Sequence, residues 1–95
     1  MVGWAAVKRT ALEVTGERSV YESSPNVFRE FCLKCGTGLF YRADLIVPDE
    51  LDVQSSTFDD PDAFPPTEMI QMAEAPSWIA ALATLPQHAR FPREE

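Results

Sequence analysis

Cys32 and Cys35 are the two cysteines of this chain, and they stand in a CxxC pair inside the stretch FCLKCGTGLFYR, residues 31 to 42. Two residues between thiols let the backbone fold into a tight knuckle with both sulfurs on one side. There a soft, four-coordinate cation such as zinc can take two thiolates. Gly36 and Gly38 fit that chemistry, because a knuckle needs positive φ or close backbone approach just past its second ligand. Two other readings of the pair are open. A redox dithiol normally sits where a strand enters a helix that activates the first thiol, and no helix pattern follows Cys35. The thiols could also be small buried hydrophobes. A closed zinc shell wants four protein ligands, and the sequence offers two cysteines and one histidine, His88. His88 stands alone in a proline-bounded tail and reads as a solvated side chain, so Cys32 and Cys35 make half a metal site.

The elements that position the knuckle are strands. Ser19 to Glu22 and Val27 to Cys32 read as a β-hairpin joined through Ser23-Ser24-Pro25-Asn26, a turn whose proline presets φ and whose asparagine tolerates the left-handed region. The hairpin delivers Cys32 to the edge of a sheet, and Leu39-Phe40-Tyr41 reads as the strand that leaves the knuckle. Leu12-Glu13-Val14 alternates as a half-buried strand between turns at 8–10 and 15–17, and 51–55 alternates again. Residues 57–66 form a long connection without helix pattern, rich in aspartate and proline. Met69 to Met72 reads as a further strand. Trp78, Ala81, Leu82 and Leu85 fall at helical spacing behind Ser77, a candidate cap of a short helix beginning near Pro76, with the Trp and Met residues expected in the core. The fold class is therefore all-β, or mainly β, with one short carboxyl-terminal helix.

Composition bounds the rest. A chain of 95 residues makes one domain at most and buries only about 60 to 65% of its unfolded surface. Apolar residues are 45% of the chain, a globular share. A formal charge of −7, with eight Lys and Arg scattered among fifteen carboxylates, argues against nucleic acid, whose phosphates need a basic stripe. No stretch approaches the roughly 20 apolar residues of a membrane span, and no signal h-region is present. The expectation is a cytoplasmic protein, where thiols stay reduced.

The order of signals, a Val-Tyr-Glu-Ser strand, a Pro-Asn turn, Arg29-Glu30-Phe31-Cys32, CGTxLFYR, then Thr57-Phe58-Asp59-Asp60-Pro61 and a Pro/Trp tail ending in Leu85-Pro86, resembles the glutathione-dependent formaldehyde-activating enzyme family, which includes centromere protein V. The resemblance runs from about Trp4 to about Phe91. It implies a zinc-carrying, β-tent-like domain in which Cys32 and Cys35 pair with an amino-terminal CxC in a structural zinc site. A second zinc, on a CxCxxC cluster, is the one the resemblance implicates in joining formaldehyde to glutathione or in breaking carbon–sulfur bonds. Neither cluster occurs in this sequence. Met69 and Gln71 also replace a histidine and an aromatic of many members, and Ser77 separates Pro76 from Trp78.

The expectation is thus that residues 1–95 form a single partial domain, the carboxyl-terminal two-thirds of such a protein, opening directly into the apolar run 2–7 and lacking its amino-terminal strands. Function follows in two versions. One is a carbon–sulfur lyase of the S-(hydroxymethyl)glutathione synthase type, with zinc as cofactor, a small thiol or aldehyde as substrate and no catalytic ligands in this chain. The other is a non-catalytic zinc-binding module or fragment, completed by a homodimer partner or by a complementing amino-terminal piece.

Overall fold

The computed structural model describes residues 2–92; Met1 and residues 93–95, the two ends of the expected 1–95 domain, lie outside the described residues. Among the described residues five strands form one antiparallel sheet: β1 (Trp4–Lys8), β2 (Ser19–Ser24), β3 (Val27–Phe31), β4 (Gly38–Ala43) and β5 (Glu50–Gln54). Their spatial order is β1-β5-β4-β3-β2. The mainly β expectation is correct, and the hairpin is there: Ser19 pairs with Phe31, Val20 with Glu30 and Tyr21 with Arg29. Its turn is tighter than expected, since β2 runs to Ser24 and leaves Pro25-Asn26 as the corner. Asn26 holds φ 61° there, a conformation that asparagine tolerates better than most side chains, and its N–H donates to Glu22 Oε2 at 2.9 Å.

β1 and β2 occupy opposite edges of the sheet, about 19 Å apart at ~4.8 Å per strand step. The ten residues 9–18 must bridge that gap, and an extended chain of that length reaches at most about 33 Å, so the link has to run straight over one face. This corrects the strand expected at 12–14. Leu12 and Val14 are half-buried while Ala11, Glu13 and Thr15 are exposed, so the alternation is real. It turns those side chains down onto the sheet from a segment that crosses the strands instead of pairing with them. Around it, a short 3₁₀ turn over Arg9–Ala11 and a left-handed Gly16 (φ 92°) change the chain's direction.

The register separates two faces. Val20, Glu30, Phe40, Val53 and Ala5 stand in one row beneath the crossing segment, and Tyr21, Arg29, Tyr41, Asp52 and Ala6 in a row on the opposite face. On that second face Trp4 tilts against Tyr41 at 6.2 Å, and the Arg29 guanidinium lies 4.9 Å from the Tyr41 ring centre. The core is small: Ala43, Leu51 and Val53 are the buried apolar residues among those described.

Two further expectations fail beyond β5. Met69 to Met72 is not a strand; residues 67–71 are irregular and Met72–Glu74 is a 3₁₀ turn entered through a left-handed Gln71, φ 56°. No strand of the sheet pairs with 69–72, neither edge β1 nor edge β2. The carboxyl-terminal helix exists over Ser77–Thr84, but it is 3₁₀, with Pro76 at its start and no side-chain cap from Ser77. Its Trp78 and the following Leu85 are 60% and 54% exposed, and Met69 and Met72 are exposed too, so they are not core residues.

Asp52 sits on β5 between Ala6 of β1 and Tyr41 of β4. Burial pushes its carboxyl above the ordinary range, with the Glu50 charge adding to it. A raised folded-state pKa favours the protonated form in the fold. Asp52 therefore adds stability at acid pH, and that contribution is lost as pH rises through the raised value. Asp52→Asn is expected to stabilise the chain slightly at pH 7, an effect reduced by solvent screening, and to make no difference below the carboxylate range. Urea midpoints at the two pH values check this; equal effects at both would exclude ionisation as the cause.

Candidate functional site

β3 ends at Phe31 and β4 begins at Gly38, and the six residues between them hold both thiols. The knuckle therefore closes the β3–β4 hairpin at one end of the sheet, inside its width and away from the lateral edges, because β2 lies outside β3. Two backbone bonds shape it. The Cys32 N–H donates to Thr37 O at 2.9 Å, and the Gly36 N–H donates back to Cys32 O at 2.9 Å. Gly36 takes φ 78°, and a shift of register at Glu30/Phe31 lets the strands resume pairing beyond the turn.

A methyl group at Gly36 would meet no atom within 4 Å, so only the backbone conformation makes glycine necessary there. Gly36→Ala is expected to cost about 1 to 2 kcal/mol from the left-handed conformation alone. Gly16→Ala, at φ 92° with equally open space, should cost a similar amount. Denaturant midpoints of the two variants check this, and a Gly36 effect well above the Gly16 effect would point to a contact instead.

Cys32 is half-buried and Cys35 exposed, both as free thiols. Cys35 Sγ lies 3.1 Å from Thr37 Oγ1. Hydrogen bonding from the Thr37 side chain, then from the Thr37 backbone and from the Cys32 thiol, lowers the Cys35 pKa, with a smaller opposing push from desolvation. The donor set suits a thiophilic cation: two adjacent sulfurs on one turn, one of them biased toward thiolate. It supplies half of a tetrahedral shell. Among the described residues no three His, Cys, Asp or Glu side chains gather where they could hold a metal ion, and His88 is exposed in the tail. A strand, not a helix, follows the pair, so the helix N-terminus that activates a redox dithiol is missing.

A second feature, not anticipated from the sequence, lies on the face covered by the crossing segment. A cavity of about 300 Å³ opens there. Its floor is an ion network centred on Glu30, which is 5% exposed. Arg18 Nε donates to one oxygen of Glu30, and Arg42 Nε to the other at 3.0 Å. Arg42 Nη1 also donates to Asp44, and Arg9 Nη2 reaches the other oxygen of Asp44 at 2.5 Å. Arg9's hydrogen bond, then the Arg42 charge, hold the Asp44 carboxyl below its ordinary range. Arg42 lies 4.1 Å over the Phe28 ring and Arg18 5.9 Å from the Phe40 ring. A signal for this network is present in the sequence. Phe28 and Glu30 share the inward parity of β3, as Phe40 and Arg42 share that of β4, and a carboxylate and a guanidinium on core-facing positions ask for each other.

No helix among the described residues is long and apolar enough to cross a membrane. Comparison with protein families matches residues 1–74 to the model of the glutathione-dependent formaldehyde-activating enzyme family, a span that contains the whole sheet, the knuckle and the ion network. No curated protein and no solved structure matches the chain.

Proposed function

The chain belongs to the glutathione-dependent formaldehyde-activating enzyme family, and from that premise we propose that it is a zinc-binding protein of the carbon–sulfur lyase type, acting on a small thiol such as glutathione and an aldehyde. The observation that carries this reading is the family match across the Cys32–Cys35 knuckle, whose two sulfurs share one turn. In the proposal Cys32 and Cys35 hold zinc structurally, tying the ends of β3 and β4 together. Zinc bound there supplies cross-linking of the fold, not chemistry on a substrate, because a catalytic zinc needs three protein ligands and an open position. Residues 1–95 carry no CxCxxC cluster. On this reading the 95-residue chain alone is catalytically incomplete. The rival reading, a zinc-binding interaction module, rests on the same knuckle and the same shortage of ligands.

The test is exchange spectroscopy on isotopically labelled formaldehyde and glutathione. The 95-residue chain loaded with zinc is expected to leave the exchange between free formaldehyde and its glutathione adduct at the uncatalysed rate. Mixing it with a polypeptide that carries CxC and CxCxxC clusters should accelerate that exchange, whereas a pure interaction module would bind such a polypeptide without acceleration. Zinc-dependent acceleration by the 95-residue chain alone, abolished by a chelator, would show the incompleteness claim to be wrong.

A further inference from the structure

We propose that the cavity beneath the crossing segment is a binding site for a small aliphatic carboxylate, held by Arg9, Arg18 and Arg42. The three guanidiniums line the same cavity, and Glu30 is the one carboxylate in its wall among the described residues. Both Glu30 oxygens are already engaged by Arg18 and Arg42. Including Asp44, which pairs with Arg9 and Arg42, the network has three positive and two negative charges. Counted by ion pairs among the described residues, the network holds one more guanidinium than carboxylate.

Donors remain for an outside acceptor. A guanidinium has five N–H groups. Arg9 uses Nε and Nη2, Arg18 Nε and Nη1, and Arg42 Nε and Nη1 within the protein. The side chains are fixed by these bonds and by the rings of Phe28 and Phe40, so a ligand meets donors that are already oriented. One surplus charge matches a monoanion. A phosphate dianion would leave negative charge in excess beside Glu30 and Asp44, and would gain nothing from the remaining wall. That wall is apolar: Leu12 and Val14 of the crossing segment line it together with Val20 and Leu51. The volume, about 300 Å³, is at the small end of ligand sites and suits a short-chain carboxylate. Such a group could arrive as a free aliphatic acid or as the carboxylate arm of a peptide thiol, and the site's chemistry is the same for both.

Methyl spectra of the 95-residue chain, titrated with butyrate, phosphate and glutathione in parallel, test the site. Butyrate is expected to shift the Leu12, Val14, Val20 and Leu51 methyls saturably, with a Kd roughly in the millimolar range, and phosphate to leave them in place. Arg9→Gln should weaken butyrate about tenfold; Asp44 keeps its Arg42 partner in that variant, so the fold is preserved. Leu12→Glu, placed on the irregular crossing segment, should abolish binding by adding a carboxylate to the cavity wall. Glutathione shifting the same methyls with the same sensitivity to Arg9→Gln would make the thiol substrate the source of the carboxylate. Shifts with butyrate alone would make a free acid the source. Absence of saturable shifts at about ten times the expected Kd, or binding unchanged in both variants, would overturn the proposal.

Discussion

Arg18→Met combined with Arg42→Met is expected to destabilise the chain by about 3 to 5 kcal/mol, because it strips both partners from a carboxylate that has almost no access to water. Glu30 is 5% exposed, and the two guanidiniums make its only side-chain hydrogen bonds among the described residues. A domain of this size is stable by about 5 to 14 kcal/mol at most, and a core of three buried apolar residues among those described places this chain low in that range. The double variant should therefore be largely unfolded at 25 °C in moderate urea. Methionine is chosen because its thioether still packs on the Phe28 and Phe40 rings, so the loss reports on charge.

Glu30→Leu is the informative contrast. It leaves two guanidiniums whose side chains are 32% and 24% exposed and can swing to water, and it adds apolar surface to an apolar row. A cost below about 1 kcal/mol is expected. The triple variant, which combines Glu30→Leu with Arg18→Met and Arg42→Met, removes the buried carboxylate together with both of its partners. It should recover most of the stability lost in the double variant, as buried ion clusters replaced by apolar groups often do. Urea denaturation of the parent and the three variants closes the thermodynamic cycle. A double variant within about 1 kcal/mol of the parent would mean that Glu30 finds other partners and is no hub. The triple variant has a second use, since it erases two of the three carboxylate-binding guanidiniums while keeping a fold in which their loss can be measured.

The hairpin and the knuckle are legible in the sequence because local rules decide them. Pro25-Asn26 is a turn whatever surrounds it, and Gly36 is required by a backbone angle with no neighbour involved. The crossing segment is half legible. Its alternation announces that Leu12 and Val14 face inward, but alternation cannot distinguish a paired strand from a strap lying over one, since both present every second side chain to the sheet. That distinction belongs to topology: β1 and β2 are at opposite edges, and only long-range pairing says so. The carboxyl-terminal helix departs from expectation for a related reason. Its apolar spacing fits a helix, yet spacing promises a buried face only where another element lies against it, and Trp78 and Leu85 remain largely exposed. The ion network is only partly legible: inward parity marks Glu30 and Arg42 as buried charges in need of partners, but a charged residue in a strand, taken singly, does not name its partner. The members lie at positions 9, 18, 30, 42 and 44, and nothing short of the register brings them together.

If the chain binds zinc as proposed, Cys32→Ser and Cys35→Ser are each expected to weaken that binding by at least about 100-fold. Loss of a group that merely orients a ligand commonly costs 10- to 100-fold in metal affinity, and loss of one of two thiolates should exceed that. Thr37→Val, which removes the hydroxyl 3.1 Å from Cys35 Sγ, should cost about tenfold, in the range for such an orienting group. The parent affinity is itself expected to be modest. Structural sites reach about 10 to 16 kcal/mol of apparent binding free energy with four protein ligands, and two thiolates with water filling the shell fall well below that. The sheet should survive chelation, because the knuckle keeps its shape through Cys32 N–H to Thr37 O and Gly36 N–H to Cys32 O, and neither bond involves metal. Removal of zinc should therefore move amide signals of residues 32–38 and leave those of β1 and β5 unchanged. Titration against a chromophoric chelator, with mass followed by light scattering at each metal ratio, measures affinity and stoichiometry together. Half a zinc per chain at dimer mass would assign the missing ligands to a second knuckle, completing a four-cysteine site across a two-fold axis. Tight binding of one zinc by a monomer, unaffected by His88→Ala, would show that the half-site description is wrong and that the chain holds ligands other than Cys32 and Cys35.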